Sequence, residues 1–177
     1  MKPNKPLSKF STQRLCIRPL TLSDSEFMLE LVNSSGWLKF IGDRGVSSTE
    51  QAISYISKIL KTPGFYYSVI QKLDSLEPVG ILSFIQKENL DVPDFGFALL
   101  PKFYKMGYAR EASAAYLKKV VAQNPSSPII AICWEENETS INLLKKLGFY
   151  FRNAINQNKQ LLHIYEIKPE QLLKQTV

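Results

Sequence analysis

The fold of this protein is decided by one stretch, DFGFALLPKFYKMGYAREA, which runs from Asp94 to Ala112. Its first part, Asp94–Leu100, is rich in aromatic and apolar residues and predicts a strand. The residues that follow form a basic turn with a single glycine, Gly107, and lead into an Ala-rich helix predicted over Ala109–Ala122. The stretch therefore predicts a strand, a short turn and a helix in immediate succession.

The start of this helix is a candidate anion site. The first turn of a helix has N–H groups without intrahelical partners and carries the positive end of the helix dipole. Gly107 lets the backbone approach a ligand closely, and Lys102, Lys105 and Arg110 add positive charge. An ordinary strand-to-helix turn is the alternative interpretation of the same residues.

A second segment has a related arrangement. Ile129–Trp134 is an apolar run of the length of a buried strand, and Glu138–Leu147 is predicted as a helix that ends at Gly148. Asn137 is a candidate N-cap between them, and Ser140 presents its hydroxyl on the first turn, toward whatever lies across the strand ends. A plain helix cap accounts for these residues as well.

The remaining elements complete an α+β domain. Alternating or β-branched runs predict further strands, and the helical spacing of apolar residues predicts two more helices. The strands are predicted at Arg14–Pro19, Tyr66–Gln71, Val79–Gln86, Phe149–Ile155 and Leu161–Ile167, the helices at Asp24–Asn33 and from Thr49 to the break at Gly64, and turns at Asn89–Pro93 and Asn156–Lys159. These elements place a single domain at 12–168, between a flexible N-terminal tail, 1–11, and a C-terminal tail, 169–177.

Composition limits the possible classes of protein. A length of 177 residues with 45% hydrophobic residues indicates one globular domain. The net charge of +6 suits an anionic ligand, but no stripe of Lys and Arg interleaves with aromatic residues, so direct nucleic-acid binding is not expected.

Cys16 and Cys133 lack any metal-ligand spacing, which indicates reduced thiols and no metal site. No apolar run suits a signal peptide or a transmembrane helix, and we expect no membrane attachment and a cytoplasmic location.

Five motifs in register, taken together, resemble the GNAT superfamily of acetyl-CoA-dependent N-acetyltransferases. The resemblance extends over Thr12–Ile167 and is greatest to the branch that includes the ribosomal-protein N-terminal (alanine/serine) acetyltransferases. The motifs are Thr12–Leu20 with Asp24, Pro78–Leu82, Asp94–Phe97, Gly107–Ala112, and Asn137 and Ser140 followed by Leu147–Phe149.

The resemblance implies a mixed, mostly antiparallel sheet of six to seven strands, splayed at its centre and flanked by about four helices. Acetyl-CoA is the implied cosubstrate, with its pantetheine in the splay. By analogy, the backbone of Leu99 and Leu100 binds the pantetheine amides, and Asn137 lies beside the thioester. The pyrophosphate is bound by the turn and the helix start, namely Tyr104, Lys105, Met106, Gly107, Tyr108, Ala109 and Arg110.

Two positions depart from the family pattern. The superfamily usually has two glycines in this turn, and one of them is Lys105 here, which costs about 1 kcal/mol if the position needs a positive φ. The tyrosine that some branches place in the last helix as an acid for the thiolate is Leu144. Ser140 is therefore the candidate for that role.

The implied reaction is the direct attack of a primary amine on the thioester, which needs no nucleophile from the enzyme. The candidate catalytic residues are Asp94 as a base acting through water, Ser140 as an acid for the leaving thiolate, and Asn137. Asp94 as the end of a turn is the alternative. Glu111, on the first helical turn, is expected to serve the helix dipole and the structure.

No motif identifies the acceptor. The resemblance implies a protein N-terminal α-amine, and the alternatives are a small-molecule amine (polyamine, amino acid or antibiotic) or a coenzyme-A-binding protein without turnover. The loops that select the acceptor are expected at Gly36–Val46 and Asn156–Lys159. The aromatic residues that either line an acceptor pocket or pack in the core are Trp37, Phe40, Tyr66, Tyr67 and Trp134. The oligomeric state is expected to be a monomer or a homodimer.

Overall fold

The structure, a computed structural model, describes residues 7–86, 92–123, 125–157 and 160–173. Its eight strands are β1 (Phe10–Ser11), β2 (Leu15–Pro19), β3 (Phe65–Lys72), β4 (Pro78–Ile85), β5 (Asp94–Leu99), β6 (Ile129–Trp134), β7 (Tyr150–Gln157) and β8 (Gln160–Ile167). They form one sheet in the order β1-β2-β3-β4-β5-β6-β8-β7. Every neighbouring pair is antiparallel except β5 and β6, which run parallel.

Helices cover both faces of this sheet. They are α1 (Ser25–Val32), α2 (Ser35–Phe40), α3 (Thr49–Lys61), α4 (Tyr108–Gln123), α5 (Glu138–Lys146) and α6 (Pro169–Leu173). α4 lies on the face of Phe95, whose ring centroid is 6.1 Å from that of Tyr116. α2 lies on the opposite face, where Phe40 makes an edge contact with Trp134 at 6.4 Å. Side chains alternate along each strand, and Asp94 of β5 pairs with Ile130 of β6. Trp134, four residues after Ile130, is therefore on the face of Asp94, and Phe95 is on the opposite face.

The parallel strands β5 and β6 separate soon after they meet. In the described part of both strands, Asp94 and Ile130 are the one register pair that joins them. The Ile130 N–H donates to the Pro93 carbonyl at 3.0 Å, which joins the two strands near their N-terminal ends. Beyond this point the strands diverge and leave a gap that we call the cleft. Its closed end is at Asp94, and its open end is at the C-terminal ends of both strands. The splayed, mostly antiparallel sheet expected from the sequence is therefore confirmed.

The described residues contain more elements than the sequence predicts. The sequence predicts six to seven strands and about four helices, whereas the structure has eight strands and six α-helices in these residues. No sequence signal indicates β1, α2 or α6, because two, six and five residues are too short to show a period. β1 and α6 lie within the segments predicted as tails, and the domain limits 12 and 168 stay predictions. The predicted turns Asn89–Pro93 and Asn156–Lys159 fall partly on residues 89–91 and 158–159, outside the described ranges.

A buried ion pair fixes the connection from β2 into α1. Asp24 is only 6% exposed and accepts hydrogen bonds from Arg18 at 2.6 and 2.9 Å and from the Thr21 N–H at 2.8 Å. Burial by itself raises the pKa of Asp24, but the hydrogen bonds from Arg18 and Thr21 outweigh it, so the net pKa lies below its usual value. Asp24 therefore stays ionised and holds the start of α1 against the sheet.

In the described residues, no helix is both long and apolar enough to cross a membrane.

Candidate active site

The segment 104–110, which we call the anion loop, presents consecutive backbone N–H groups. Lys105 and Gly107 have left-handed conformations, with φ of 63° and 81°. The first hydrogen bond of α4 joins the Glu111 N–H to the Gly107 carbonyl at 3.1 Å, so the three N–H groups of 108–110 have no intrahelical partner. Among the described residues no backbone acceptor is found for the N–H groups of 105–107 either. Such a run of turn and helix-start N–H groups forms a concave anion site.

Lys105 occupies the strained position that the sequence analysis identified. Its φ of 63° lies in the left-handed region, where an L-residue other than Asn or Asp is uncommon. The strain costs about 1 kcal/mol relative to glycine. Lys105 is exposed and makes no ion pair with the described residues, so its ammonium group remains available beside the N–H groups.

The anion loop is held in place by Arg14, whose contacts with this loop no sequence pattern indicates. Arg14 Nη1 donates to the Met106 carbonyl at 3.1 Å, and its guanidinium lies 4.7 Å from the centre of the Tyr108 ring. Arg14 Nε donates to Glu111 Oε2 at 2.7 Å. Glu111 Oε1 also accepts from Thr12 Oγ1 at 2.7 Å and from the Arg14 N–H at 2.8 Å. These contacts, which we call the Arg14–Glu111 clamp, join the first turn of α4 to the β1–β2 connection.

The clamp predicts a pH-dependent effect of Glu111→Gln. Burial raises the pKa of Glu111, but hydrogen bonds from Thr12 and Arg14 outweigh it and leave the pKa below its ordinary value of 4.5. A lowered folded pKa stabilises the protein above the unfolded pKa, and this stability is lost as the pH falls through the folded pKa. We expect Glu111→Gln to lower the free energy of unfolding by about 1 kcal/mol at pH 7. Urea unfolding of wild type and Glu111→Gln from pH 7 to pH 3 measures the difference in their free energies of unfolding. This difference should become smaller as the pH falls below the ordinary pKa of 4.5.

A difference between the two proteins that stays constant across this pH range would contradict an ionic role for Glu111.

Lys102 does not lie where the sequence analysis expected it. Its Nζ is 3.2 Å from Glu77 Oε1 and 3.8 Å from Glu30 Oε1, so its charge is directed toward these carboxylates. Neither Glu77 nor Glu30 is near Lys102 in the sequence, so local charge counting could not show the pairing. Of the basic residues expected beside the anion loop, Lys105 and Arg110 remain without an ion pair in the described residues.

One wall of the cleft is the free edge of β5. The Leu100 N–H donates to the Val79 carbonyl at 2.9 Å, and the Leu100 carbonyl accepts from Phe103 at 3.0 Å. Backbone groups alternate in direction along a strand, so Leu99 and Phe97 present theirs to the cleft. The Pro93 carbonyl, which bonds β6, points the same way and supports this alternation. Leu99 thus has the orientation predicted for a pantetheine contact, whereas both backbone groups of Leu100 are used within the protein.

Asn137 and Ser140 lie at the open end of the cleft, on the same side as the anion loop. β5 and β6 are parallel, so the helices that follow them, α4 and α5, both begin at this end. Asn137 Oδ1 accepts from the Ser140 N–H at 3.2 Å and so caps α5. The cap therefore uses the backbone of Ser140 and leaves its half-buried hydroxyl group out of that bond.

Asp94 lies at the closed end of the cleft. The five steps from Asp94 to the end of β5 span about 17 Å, so the structure does not bring Asp94 into contact with the start of α5. The surroundings of Asp94 include Tyr67 and Cys133. Burial raises the pKa of the Cys133 thiol to about 11, and the negative charge of Asp94 adds to the rise. Burial also raises the pKa of Tyr67, and Tyr55 and Asp94 contribute in the same direction.

Helix α2 crosses the open end of the cleft on the face opposite α4. The Tyr104 hydroxyl lies against Gly36, at a place where no other residue type would fit without displacing that ring. Four residues further along, Phe40 contacts Trp134 at the end of β6. α2 therefore contacts both sides of the cleft. Trp37 of this helix packs in the core, with its Nε1 donor lacking a partner among the described residues.

The described residues hold no group of three or more His, Cys, Asp or Glu side chains that could bind a metal ion.

Comparison with known proteins gives concordant results. A family model described as "Acetyltransferase (GNAT) domain" matches residues 14–150. A relative in Bacillus subtilis (strain 168), named "Uncharacterized N-acetyltransferase YnaD", is 27% identical over 154 residues, covering 85% of this chain and 89% of the relative. The crystal structure of a GNAT-family acetyltransferase from Bacillus anthracis superposes with a TM-score of 0.78 at 25% identity, covering 92% of this chain and 99% of that one. Spermidine N-acetyltransferase from Vibrio cholerae, in complex with CoA and spermine, has a TM-score of 0.78 at 17% identity, covering 92% and 100% of the two chains.

Proposed function

Because the chain belongs to the acetyltransferase (GNAT) family and is an acetyl-CoA-dependent N-acetyltransferase, we propose that it acetylates a primary amine by direct attack within the cleft. The observation that carries the proposal is the anion loop, whose N–H groups from 105 to 110 have no backbone acceptor among the described residues. The free backbone edge of β5 runs from this loop toward Asp94. The site thus combines an anion-binding end with an extended wall, as a long ligand with a phosphate group requires.

The residues present fit acetyl-CoA. The N–H groups of 105–110 would bind the pyrophosphate, and the side chains of Lys105 and Arg110 would add positive charge. The backbone of Leu99 and Phe97 would bind the pantetheine amides as an added strand does. Acetyl-CoA supplies the activated thioester and a thiolate leaving group. Asn137, at the start of α5, would contact the arm from the other side of the cleft.

Two side chains are proposed to move or hold protons. Asp94 lies about 17 Å along β5 from its C-terminal end, so it would take the proton of the acceptor ammonium group through a chain of water molecules, and the freed nitrogen could then bond to the acetyl carbon. Ser140 donates its hydroxyl proton in a hydrogen bond to the sulfur as the carbon–sulfur bond breaks. Cys133 keeps its proton, because burial and the charge of Asp94 raise the pKa of its thiol to about 11.

For the acceptor we propose a protein N-terminal α-amine, as in the branch of ribosomal-protein acetyltransferases. The five sequence motifs support this proposal. A small-molecule amine is the alternative. The spermine of the Vibrio cholerae complex belongs to that protein, and at 17% identity the likeness bears on the fold alone.

The direct mechanism predicts that no acetyl group becomes attached to the protein. We expect acetyl-labelled acetyl-CoA to deliver its label to members of a panel of peptides and small amines. The protein with both Cys16→Ala and Cys133→Ser should keep turnover within a few-fold of wild type, because Cys16 is buried and the Cys133 thiol is protonated. Scintillation counting of products and mass spectrometry of the intact protein measure the two fates of the label.

Label retained on either cysteine, or a double variant that folds normally but is inactive, would contradict direct attack. Binding of acetyl-CoA without transfer to any amine would instead indicate a coenzyme-A-binding protein without turnover.

A further inference from the structure

The peptide between Met106 and Gly107 carries one of the N–H groups of the anion loop. The Met106 carbonyl accepts a hydrogen bond from Arg14 Nη1 at 3.1 Å. In a planar trans peptide the C=O and N–H bonds point in opposite directions. The Gly107 N–H therefore points away from the Arg14 guanidinium, and it has no backbone acceptor among the described residues.

Nothing within this peptide fixes the direction of its N–H group. Rotating the 106–107 peptide by half a turn changes ψ of Met106 and φ of Gly107, and glycine accepts either sign of φ. Gly107 has a φ of 81° in the structure. The rotated peptide would place the Met106 carbonyl oxygen where the N–H group is now, and this oxygen would repel a phosphate. The orientation that suits an anion is therefore the one in which the Met106 carbonyl is bound from the other side.

Arg14 binds this carbonyl, and its own position is fixed by two neighbours. Glu111 accepts from Arg14 Nε at 2.7 Å and from the Arg14 N–H at 2.8 Å, so one carboxylate holds both the side chain and the backbone. The guanidinium carbon lies 4.7 Å from the centre of the Tyr108 ring. The Arg14 side chain is 46% exposed, so these contacts, and not burial, direct its Nη1 to the Met106 carbonyl.

The chemistry of this position requires an arginine. A guanidinium has donors on three nitrogens in one plane, so it can bond to Glu111 and to the Met106 carbonyl at once. Arg14 also neutralises Glu111, whose carboxylate on the first turn of α4 would otherwise repel a phosphate. The other charged side chains of the anion loop, Lys105 and Arg110, are cations without an ion pair in the part of the chain that the structure describes.

We infer, on the basis of the proposed function, that Arg14 is a positioning residue for acetyl-CoA. It acts through the Met106 carbonyl and keeps the Gly107 N–H directed at the pyrophosphate, without touching the cofactor itself. When the Arg14 side chain is removed, the 106–107 peptide rotates, and the anion loop offers one phosphate donor fewer for part of the time.

The first test is the affinity of Arg14→Met for acetyl-CoA. Methionine keeps an unbranched side chain but has no donor for the Met106 carbonyl. The Kd for acetyl-CoA in calorimetry should rise by about 10- to 100-fold. At saturating acetyl-CoA the bound cofactor selects the same loop conformation, so kcat should stay within a few-fold of wild type and the loss should appear in KM. All measurements are made below the melting temperature of the variant.

Two matched variants separate orientation from charge. Arg14→Lys keeps the charge and the ion pair with Glu111, but its ammonium group cannot hold the Met106 carbonyl as well, so its Kd should stay at least about 5-fold above wild type. If Arg14→Met does not fold, Arg14→Lys provides the same comparison. Arg152→Met removes an arginine that is 50% exposed and pairs with Glu166 at 3.0 Å, and it should bind acetyl-CoA as wild type does.

The orientation itself can be measured at the Gly107 amide. Labelling with 15N-glycine gives signals from at most eight residues, and the signal absent from Gly107→Asn identifies Gly107. The 15N relaxation of Gly107 reports motion on the ps–ns and μs–ms timescales. Without ligand, this amide should be more mobile in Arg14→Met, or in Arg14→Lys, than in wild type. Saturating CoA should restore the wild-type values.

The possible outcomes are distinguishable. An unchanged Kd in Arg14→Met, an equal loss in kcat, or full recovery of affinity in Arg14→Lys overturns this inference while the acetyltransferase proposal stands. Weaker binding with wild-type relaxation of Gly107 indicates a direct contact of Arg14 with the cofactor and also overturns it. If wild type neither binds acetyl-CoA nor acetylates any amine, the proposed function fails and the inference fails with it. Weaker binding of both Arg14 variants, together with a more mobile Gly107 amide, supports both.

Discussion

Gly107→Asp should abolish the binding of acetyl-CoA. The substitution adds a carboxylate to the anion loop, close to the proposed site of the pyrophosphate, with its Cβ 3.3 Å from Arg14 Nη2. Repulsion between this carboxylate and the pyrophosphate, at a partly desolvated site, should raise the Kd for acetyl-CoA by at least about 100-fold. Calorimetric titration with acetyl-CoA, and with CoA as a second ligand, measures the effect.

The matched control is Gly107→Asn. Gly107 has a φ of 81°, so every side chain at this position is strained, and Asn is among the residues that tolerate the left-handed region best. An added Cβ would meet only Arg14 Nη2, at 3.3 Å, at the end of a flexible side chain. Asn and Asp share size and strain, so a loss of affinity in Asp alone isolates the charge. Equal affinities of wild type and Gly107→Asp would reject the anion loop as the cofactor site.

Ser140→Ala should lower kcat by about 10- to 1000-fold while leaving the Kd for acetyl-CoA within a few-fold of wild type. The proposed hydrogen bond to sulfur strengthens only as the thiolate leaves, so it acts on the rate and not on ground-state binding. Stability should be unchanged, because the α5 cap joins Asn137 Oδ1 to the Ser140 N–H, which alanine retains. Steady-state kinetics and thermal unfolding of one variant provide both readouts.

Two substitutions at Asn137 complete this experiment. Asn137→Ala removes the cap acceptor and should lower the free energy of unfolding by about 1 kcal/mol, whereas Asn137→Asp should keep the cap. A Ser140→Ala protein with wild-type kcat and a lowered melting temperature would show that its hydroxyl serves the helix start, and would exclude the acid role.

Much of the fold could be predicted because its signals lie in contiguous residues. The strand–turn–helix of Asp94–Ala112 combines apolar residues, one glycine and an Ala-rich run within a single stretch, and the structure has all three elements there. The short helix α2 could not be predicted, since six residues show no helical period. Its position over the cleft depends on contacts of Gly36 with Tyr104 and of Phe40 with Trp134, which are distant in sequence.

The sequence by itself determined the family, the two helix starts and the left-handed strain expected at Lys105, because backbone preference and capping depend on neighbouring residues. The tertiary structure alone decided which charges remain available. Lys102 is drawn to Glu77 and Glu30, and Arg14 to a carboxylate 97 residues away, whereas Arg44 and Arg110 form no ion pair among the described residues. It also decided that β5 and β6 separate after a single pair, since strand pairing is a non-local interaction.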